Sequence, residues 1–251
     1  MAKENSAAAP ARARLSGRVW FVLLCAAIVV AFLVIVLPGV FDVRHERRTR
    51  EITKPITRLV LHSKGMTKVE IKPSYDGHVH LVRTSSISRD SRLIEHVRVS
   101  GKTLTIHSTC TGSRFGVLRS CDLRYYLRVP RKIALALHLH FGTADLHGLR
   151  GRLTLTLDAG RLDGFGCNKR ADVSLRYGSI DYRDECVPEY FRARMKAGDI
   201  VLTVPAGRYA VQAERNAQRP FANIIEDPAS PNLIDADVTW AGSIAIEGVH
   251  K

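Results

Sequence analysis

Acidic residues are scarce in this 251-residue sequence, where 24 Asp and Glu face 38 Lys and Arg and leave a formal net charge of +14. No zinc-finger spacing, aromatic stacking signature or basic helix accompanies that charge, which sets nucleic acid aside as a partner. A nucleophile elbow, a phosphate-binding glycine loop, a metalloprotease helix and a kinase signature are missing too. No two cysteines stand close enough for a zinc site. Beyond residue 40 no segment carries a helical apolar stripe, which excludes a helix bundle and the alternating α/β folds. The chain therefore reads as non-enzymatic, with no cofactor and no metal. Its field favours anionic partners, such as phospholipid headgroups or acidic cell-wall polymers.

One long hydrophobic run is present. Residues 19–37 are uncharged and strongly apolar, and at ~1.5 Å per residue they would span roughly 28 Å, close to a bilayer's hydrocarbon core. Trp20 and Phe21 suit one interface, and Pro38-Gly39 ends the helix at the other. Leu37-Pro38-Gly39-Val40-Phe41 lacks the small-x-small pattern of a cleavage site, so an uncleaved anchor is expected. Basic residues flank the run on both sides and do not orient it. The cysteines do: apart from Cys25 there are four, placed to form two disulfides, which persist outside the cytosol.

The expectation is a single-pass plasma-membrane protein with four parts. Residues 1–18 form a disordered basic cytosolic tail and 19–40 a transmembrane helix in contact with the lipid bilayer. Residues 41–54 form a charged juxtamembrane stalk whose arginines meet anionic headgroups. Residues 55–251 form an extracytoplasmic domain.

In that domain apolar residues alternate with polar ones. Leu59 and Leu61, Val69 and Ile71, Val79 and Leu81, Val97 and Val99, and Leu104 and Ile106 mark strands. Lys64-Gly65, Asp76-Gly77 and Ser100-Gly101 stand between them as turn signals. Gly142, Gly160, Gly178 and Gly198 then recur at intervals of 18, 18 and 20, each opening a similar phrase, and Gly242 opens a fifth. Before each glycine runs an alternating strand, such as Leu135, Leu137, Leu139 and Phe141, or Val173, Leu175 and Tyr177. After it, Ala144 and Leu146, Leu162, Ile180 and Tyr182, and Ile200 and Leu202 point inward. A fixed period of this size marks stacked repeats, each covering its neighbour's apolar face. The predicted class is all-β: a single-stranded β-solenoid or β-helix-like domain preceded by one transmembrane helix. A two-sheet sandwich also gives alternating strands, but not a constant glycine phase.

Cys167 follows Gly160 by seven residues and Cys186 follows Gly178 by eight, so stacking brings them together as a disulfide. Cys110 and Cys121 bracket a segment that reads as a hairpin with a long tip, clipped at its base.

The strand Ile56-Thr57-Arg58-Leu59-Val60-Leu61, the Val129-Pro130 join leading into Ile133-Ala134-Leu135-Ala136-Leu137, the glycine corners at 142, 178, 198 and 242, and Val204-Pro205-Ala206-Gly207 occur in order. In this the chain resembles the bacterial putative-adhesin family of extracytoplasmic or membrane-anchored β-solenoid domains, over about residues 55–250. Gly160 departs from the pattern, being followed by Arg161. The resemblance implies a non-enzymatic surface domain for binding or adhesion.

Three sets of residues carry candidate chemistry. Asp145, Asp163 and Asp181 each stand three residues after a repeat glycine and would form an outward column. That column is either a ladder neutralised by Arg161, Arg176 and Arg183, a cation site, or the acid/base pair of a polysaccharide-acting β-helix enzyme. His78 with His80, and His138 with His140, project in pairs from one face each, with His147 near the second pair; exposed histidines on a basic surface are the expected reading. The loop between Cys110 and Cys121 carries Arg114, Phe115, Leu118 and Arg119. It either recognises a ligand or covers an open end of the stack. A sensory domain reporting envelope state is a further alternative, against which the short inner tail argues.

Overall fold

The computed structural model describes residues 20–31, 43–88, 91–112, 121–213 and 221–250. The chain divides into two compact units, Met1–Asp42 and Val43–Lys251. In the first, a helix covers 20–31, twelve residues, or ~18 Å against a hydrocarbon core of about 30 Å. No helix among the described residues is long and apolar enough to cross a membrane. That overturns the single-pass plasma-membrane localisation expected from residues 19–40. The proposed cytosolic tail, 1–18, lies outside the described residues.

The second unit is all-β. Its strands are β1 (Val43–Ile52), β2 (Arg58–Pro73), β3 (Val79–Ser88), β4 (Ser91–Ser100), β5 (Thr103–Gly112), β6 (Cys121–Val129) and β7 (Ala134–Leu149). They continue as β8 (Leu153–Gly166), β9 (Arg170–Asp184), β10 (Tyr190–Pro205), β11 (Arg208–Ala213), β12 (Phe221–Ala222), β13 (Ile225–Glu226) and β14 (Leu233–Val249). The order in the sheet is β1-β3-β6-β2-β7-β8-β9-β10-β14-β11-β13.

From β2 through β14 the central strands pair in parallel, with residues one repeat apart directly opposite. Thr67, Gly142, Gly160, Gly178, Gly198 and Gly242 form one column. The inward side chains Leu139, Ala144, Leu157, Leu162, Leu175 and Ile180 are buried on either side of it. Leu139 and Ala144 are five apart. An odd interval moves the inward phase by one residue, which a regular pleat cannot do. The corner glycine absorbs that step: Gly160 has φ of 149°, and a Cβ there would land inside the carbonyl of Gly142. Lys64-Gly65 lies inside β2, at its register shift against β7, and is not a turn between strands.

Two segments correct the sequence reading. The supposed stalk is β1, paired antiparallel with β3 from Val43↔Ser88 to Ile52↔Val79. Its charges suit a sheet edge, where they discourage pairing with another chain. Glu46 also reaches the buried Arg83 guanidinium at 2.7 Å, and Arg83 holds Glu95 at 3.0 Å. Tyr125 donates to Glu95 at 2.9 Å, tying β1, β3, β4 and β6 together through one polar cluster.

The second correction concerns the Cys110–Cys121 region. β5 and β6 do not form a hairpin; they lie in parallel against the two halves of β2, at Arg58–Lys64 and Met66–Pro73 respectively. Together they supply the pairing with β2 that the single strand β7 supplies on its other side.

Replacing Gly160 by Ala should cost at least about 4 kcal/mol or abolish folding, because backbone blocks the new methyl. Gly77→Ala faces open space at φ 75° and should cost only about 1–2 kcal/mol. Denaturant unfolding of the two variants checks the difference, and equal losses would contradict the crowding of the corner.

Candidate functional site

Both disulfides form. Cys167 and Cys186 have Cα atoms 4.9 Å apart, and Cys110 and Cys121 6.4 Å. The second joins β5 to β6 beside Gly65. Arg114, Phe115, Leu118 and Arg119 lie outside the described residues. Cys25 is the free cysteine.

Register sets Asp145 opposite Asp163 and Asp163 opposite Asp181. Lys68 stands 3.2 Å from Asp145, and Arg161 stands 2.6 Å from Asp163. These cations offset the repulsion between carboxylates one strand apart. Arg176 turns instead to Asp158, at 3.7 Å. The one described group of three side chains whose metal-ligating atoms come mutually close is elsewhere, at Glu51, Asp76 and His80. There Asp76 already accepts the His78 amide at 3.0 Å and bonds His80 Nε2 at 2.6 Å, a closed turn that accounts for the cluster.

The histidine pairs divide differently from their sequence spacing. His138 stacks on His62, centroids 4.5 Å apart at 8°, and His62 lies 6.0 Å from His107. Burial, then the neighbouring His138 and His107, hold the His62 imidazole below its ordinary value. His140 pairs with Asp158 at 3.0 Å, and His147 packs edge-on against Phe165.

Strict alternation puts Phe141 and Tyr177 inside, and that is wrong. The odd corner step turns them out: Phe141 is 52% exposed and Tyr177 45%. Met66, just before the column, and Trp240, two residues before Gly242 at a bulge, are exposed as well. Met66 pairs with Phe141, Phe141 with Ala159, Ala159 with Tyr177 and Tyr177 with Ala197, whose partner Ala241 follows Trp240. Phe141, Tyr177 and Trp240 thus project from every second strand along one line, about 10 Å apart at the normal strand spacing. The Tyr177 and Trp240 rings lean to within 6.3 Å, and Lys196 Nζ sits 5.3 Å over the Trp240 ring. Lys64 and Arg176 are exposed beside the same ridge. The sequence signal that locates it is the interval of five between inward residues across Gly142, Gly160, Gly178 and Gly198; at Gly242 a bulge lengthens it to six, from Val238 to Ile244.

At the far turn Asp184 is buried. Its Oδ1 accepts the amides of Asn168 and Cys186, at 3.3 and 3.2 Å. Oδ2 has no partner among the described residues. Burial raises its carboxyl to about 7, against the pull of the two amides.

No family model matches the chain, and no curated protein matches its sequence. Solved structures similar to it include a putative cell adhesion protein from Clostridium sporogenes, 16% identical, covering 83% of this chain and all of that one, with a TM-score of 0.48. A putative adhesin from Bacteroides fragilis is 14% identical over 82% of this chain and 97% of its own, with a TM-score of 0.32. A putative lipid binding protein from Parabacteroides distasonis is 13% identical over 81% and 97%, with a TM-score of 0.22. Two of these share their description with the family whose motifs the sequence resembles.

Two outcomes follow from the disulfides and the buried carboxyl. The denatured, unreduced chain should expose one reactive thiol, Cys25, and all five only after reduction; Cys167→Ser should cost about 3 kcal/mol in unfolding free energy. Asp184 keeps its proton to about pH 7 when folded but loses it near 4 when unfolded. The folded state then binds more protons in that window, so its contribution lowers stability as pH rises from about 4 to 7. Asp184→Asn should flatten that part of the stability profile, and an unchanged slope would contradict the assignment.

Proposed function

We propose that this is a non-catalytic binding domain that works outside the cytosol and holds an extended anionic polysaccharide of the cell envelope along its corner ridge. The observation that carries the reading is the ridge itself: aromatic rings exposed on every second strand, in one line, with Lys64, Arg176 and Lys196 beside them. Aromatic faces stack on sugar rings, the cations meet uronate or phosphate groups, and a repeat of about two strand spacings suits a polymer of alternating units. The two disulfides support an oxidising compartment.

The stack is, in this reading, a β-solenoid. A straight strand of 14–16 residues would end roughly 50 Å from its start. Yet the connections from β7 to β8 and from β8 to β9 each leave only three residues between parallel strands, a reach of about 11 Å. A strand that bends back at its glycine needs no longer return.

The aspartate column favours no enzymatic reading, since two of its members are engaged by Lys68 and Arg161.

Tyr177→Ala with Trp240→Ala should weaken binding of an immobilised uronic-acid polysaccharide at least about tenfold, or 1.4 kcal/mol, and leave the unfolding midpoint nearly unchanged. Binding should also fall with added salt. Undiminished binding by the double variant, or equal binding of a neutral polysaccharide, would remove the reading. Preferential sedimentation with anionic vesicles would replace it with a lipid surface.

A further inference from the structure

Five of the chain's ten histidines stand on one face of the first strand halves. His96 lies opposite His107, His107 opposite His62, and His62 opposite His138, with His140 two residues further along β7. The rings of His62 and His138 are in contact, 4.5 Å apart, and that of His107 follows at 6.0 Å. We propose that His62, His107 and His138 form a binding site for a borderline divalent transition-metal ion such as Zn2+, Ni2+ or Cu2+. The inference stands apart from polysaccharide binding and would survive its failure.

The donor set selects the ion class. Imidazole suits zinc, nickel and copper, whereas calcium and magnesium require oxygen ligands. The same face carries Val60 and Lys64 on β2, Thr105 and Thr109 on β5, Ala136 and His140 on β7, and Thr156 on β8, opposite His138. None of these is a carboxylate, and the nearby Asp158 is taken by His140 and Arg176. Strands one step apart place neighbouring imidazoles ~4.8 Å from each other. Their outer torsions are broad, so partly exposed rings can turn their nitrogens onto one ion at ~2.0–2.1 Å. Lys64 on β2 and Arg98 on β4, opposite Thr105, are the fixed cations on this face. Their flexible stems carry both charges toward water as the ion arrives.

Calorimetric titration of the full chain with Zn2+ and with Cu2+ tests the site. Uptake of one ion is expected near pH 7.5 and loss of binding near pH 5.5, where imidazoles take up protons. His62→Gln and His138→Gln should each weaken binding at least about tenfold, while His147→Gln, outside the row, should leave it unchanged. Copper-bound protein should show nitrogen hyperfine coupling from at least two imidazoles. No uptake by the wild-type chain overturns the proposal, as does unchanged affinity in His138→Gln, whose partly exposed ring can be lost without unfolding. Loss of affinity on His80→Gln with the row intact would assign the ion to the Glu51 group and overturn it equally.

Discussion

Everything in the β unit depends on backbone meeting backbone at the corner. Gly160 lies over Gly142, and Gly178 over Gly160, with no volume between them for a methyl group. That contact does more than permit a bend. It fixes the register of every pair of neighbours, because a slip of one residue would drive a side chain into a carbonyl and turn the inward set out to water. The apolar core is non-directional and would tolerate many alignments. The glycine column is what singles out one.

The two ends of the stack and its far turns are held by costlier means. Arg83 is buried with Glu46 and Glu95 around it, an arrangement whose desolvation offsets much of its Coulomb gain. What it adds is placement: one guanidinium fixes the edge strand β1 and the β4–β5 arm to the same point. The Cys110–Cys121 bond acts similarly, joining β5 to β6 where two strands share the length of β2. At the return turn, Asp184 accepts two amides but carries an oxygen without a partner. The next disulfide, Cys167–Cys186, begins within two residues of it.

The sequence made the inward positions legible because burial and periodicity are the same fact read twice. Leu59, Leu61, Val69, Ile71, Leu137 and Ile180 are all buried where alternation puts them. The pair Cys167–Cys186 was legible for the same reason, since phase within a repeat becomes proximity between repeats, whereas Cys110–Cys121 was read as the clip of a hairpin that does not form. Phe141 and Tyr177 were misplaced because alternation was carried through a corner that adds an odd residue. β1 was read as a stalk because an edge strand with one covered side has no need of an apolar face. The histidine row was illegible: His62, His107 and His138 belong to strands joined by register, and His107 lies on a strand whose pairing covers only one half of β2.

The ridge and the histidine row lie on neighbouring stretches of the same strands, His138 three residues before Phe141 and His62 four before Met66. A repeating ridge offers a repeating polymer several equivalent alignments, so weak contacts of single rings add along the line while none is individually decisive. A dication on the proposed histidine site would raise the potential over the nearer end of that line without touching the aromatic faces. Linkage then requires the effect to run both ways: whatever an ion adds to the hold on a polyanion, the polyanion adds to the hold on the ion. Because such charges near the surface are screened over about 8–10 Å, the coupling belongs to the Met66–Phe141 end of the ridge and fades toward Trp240.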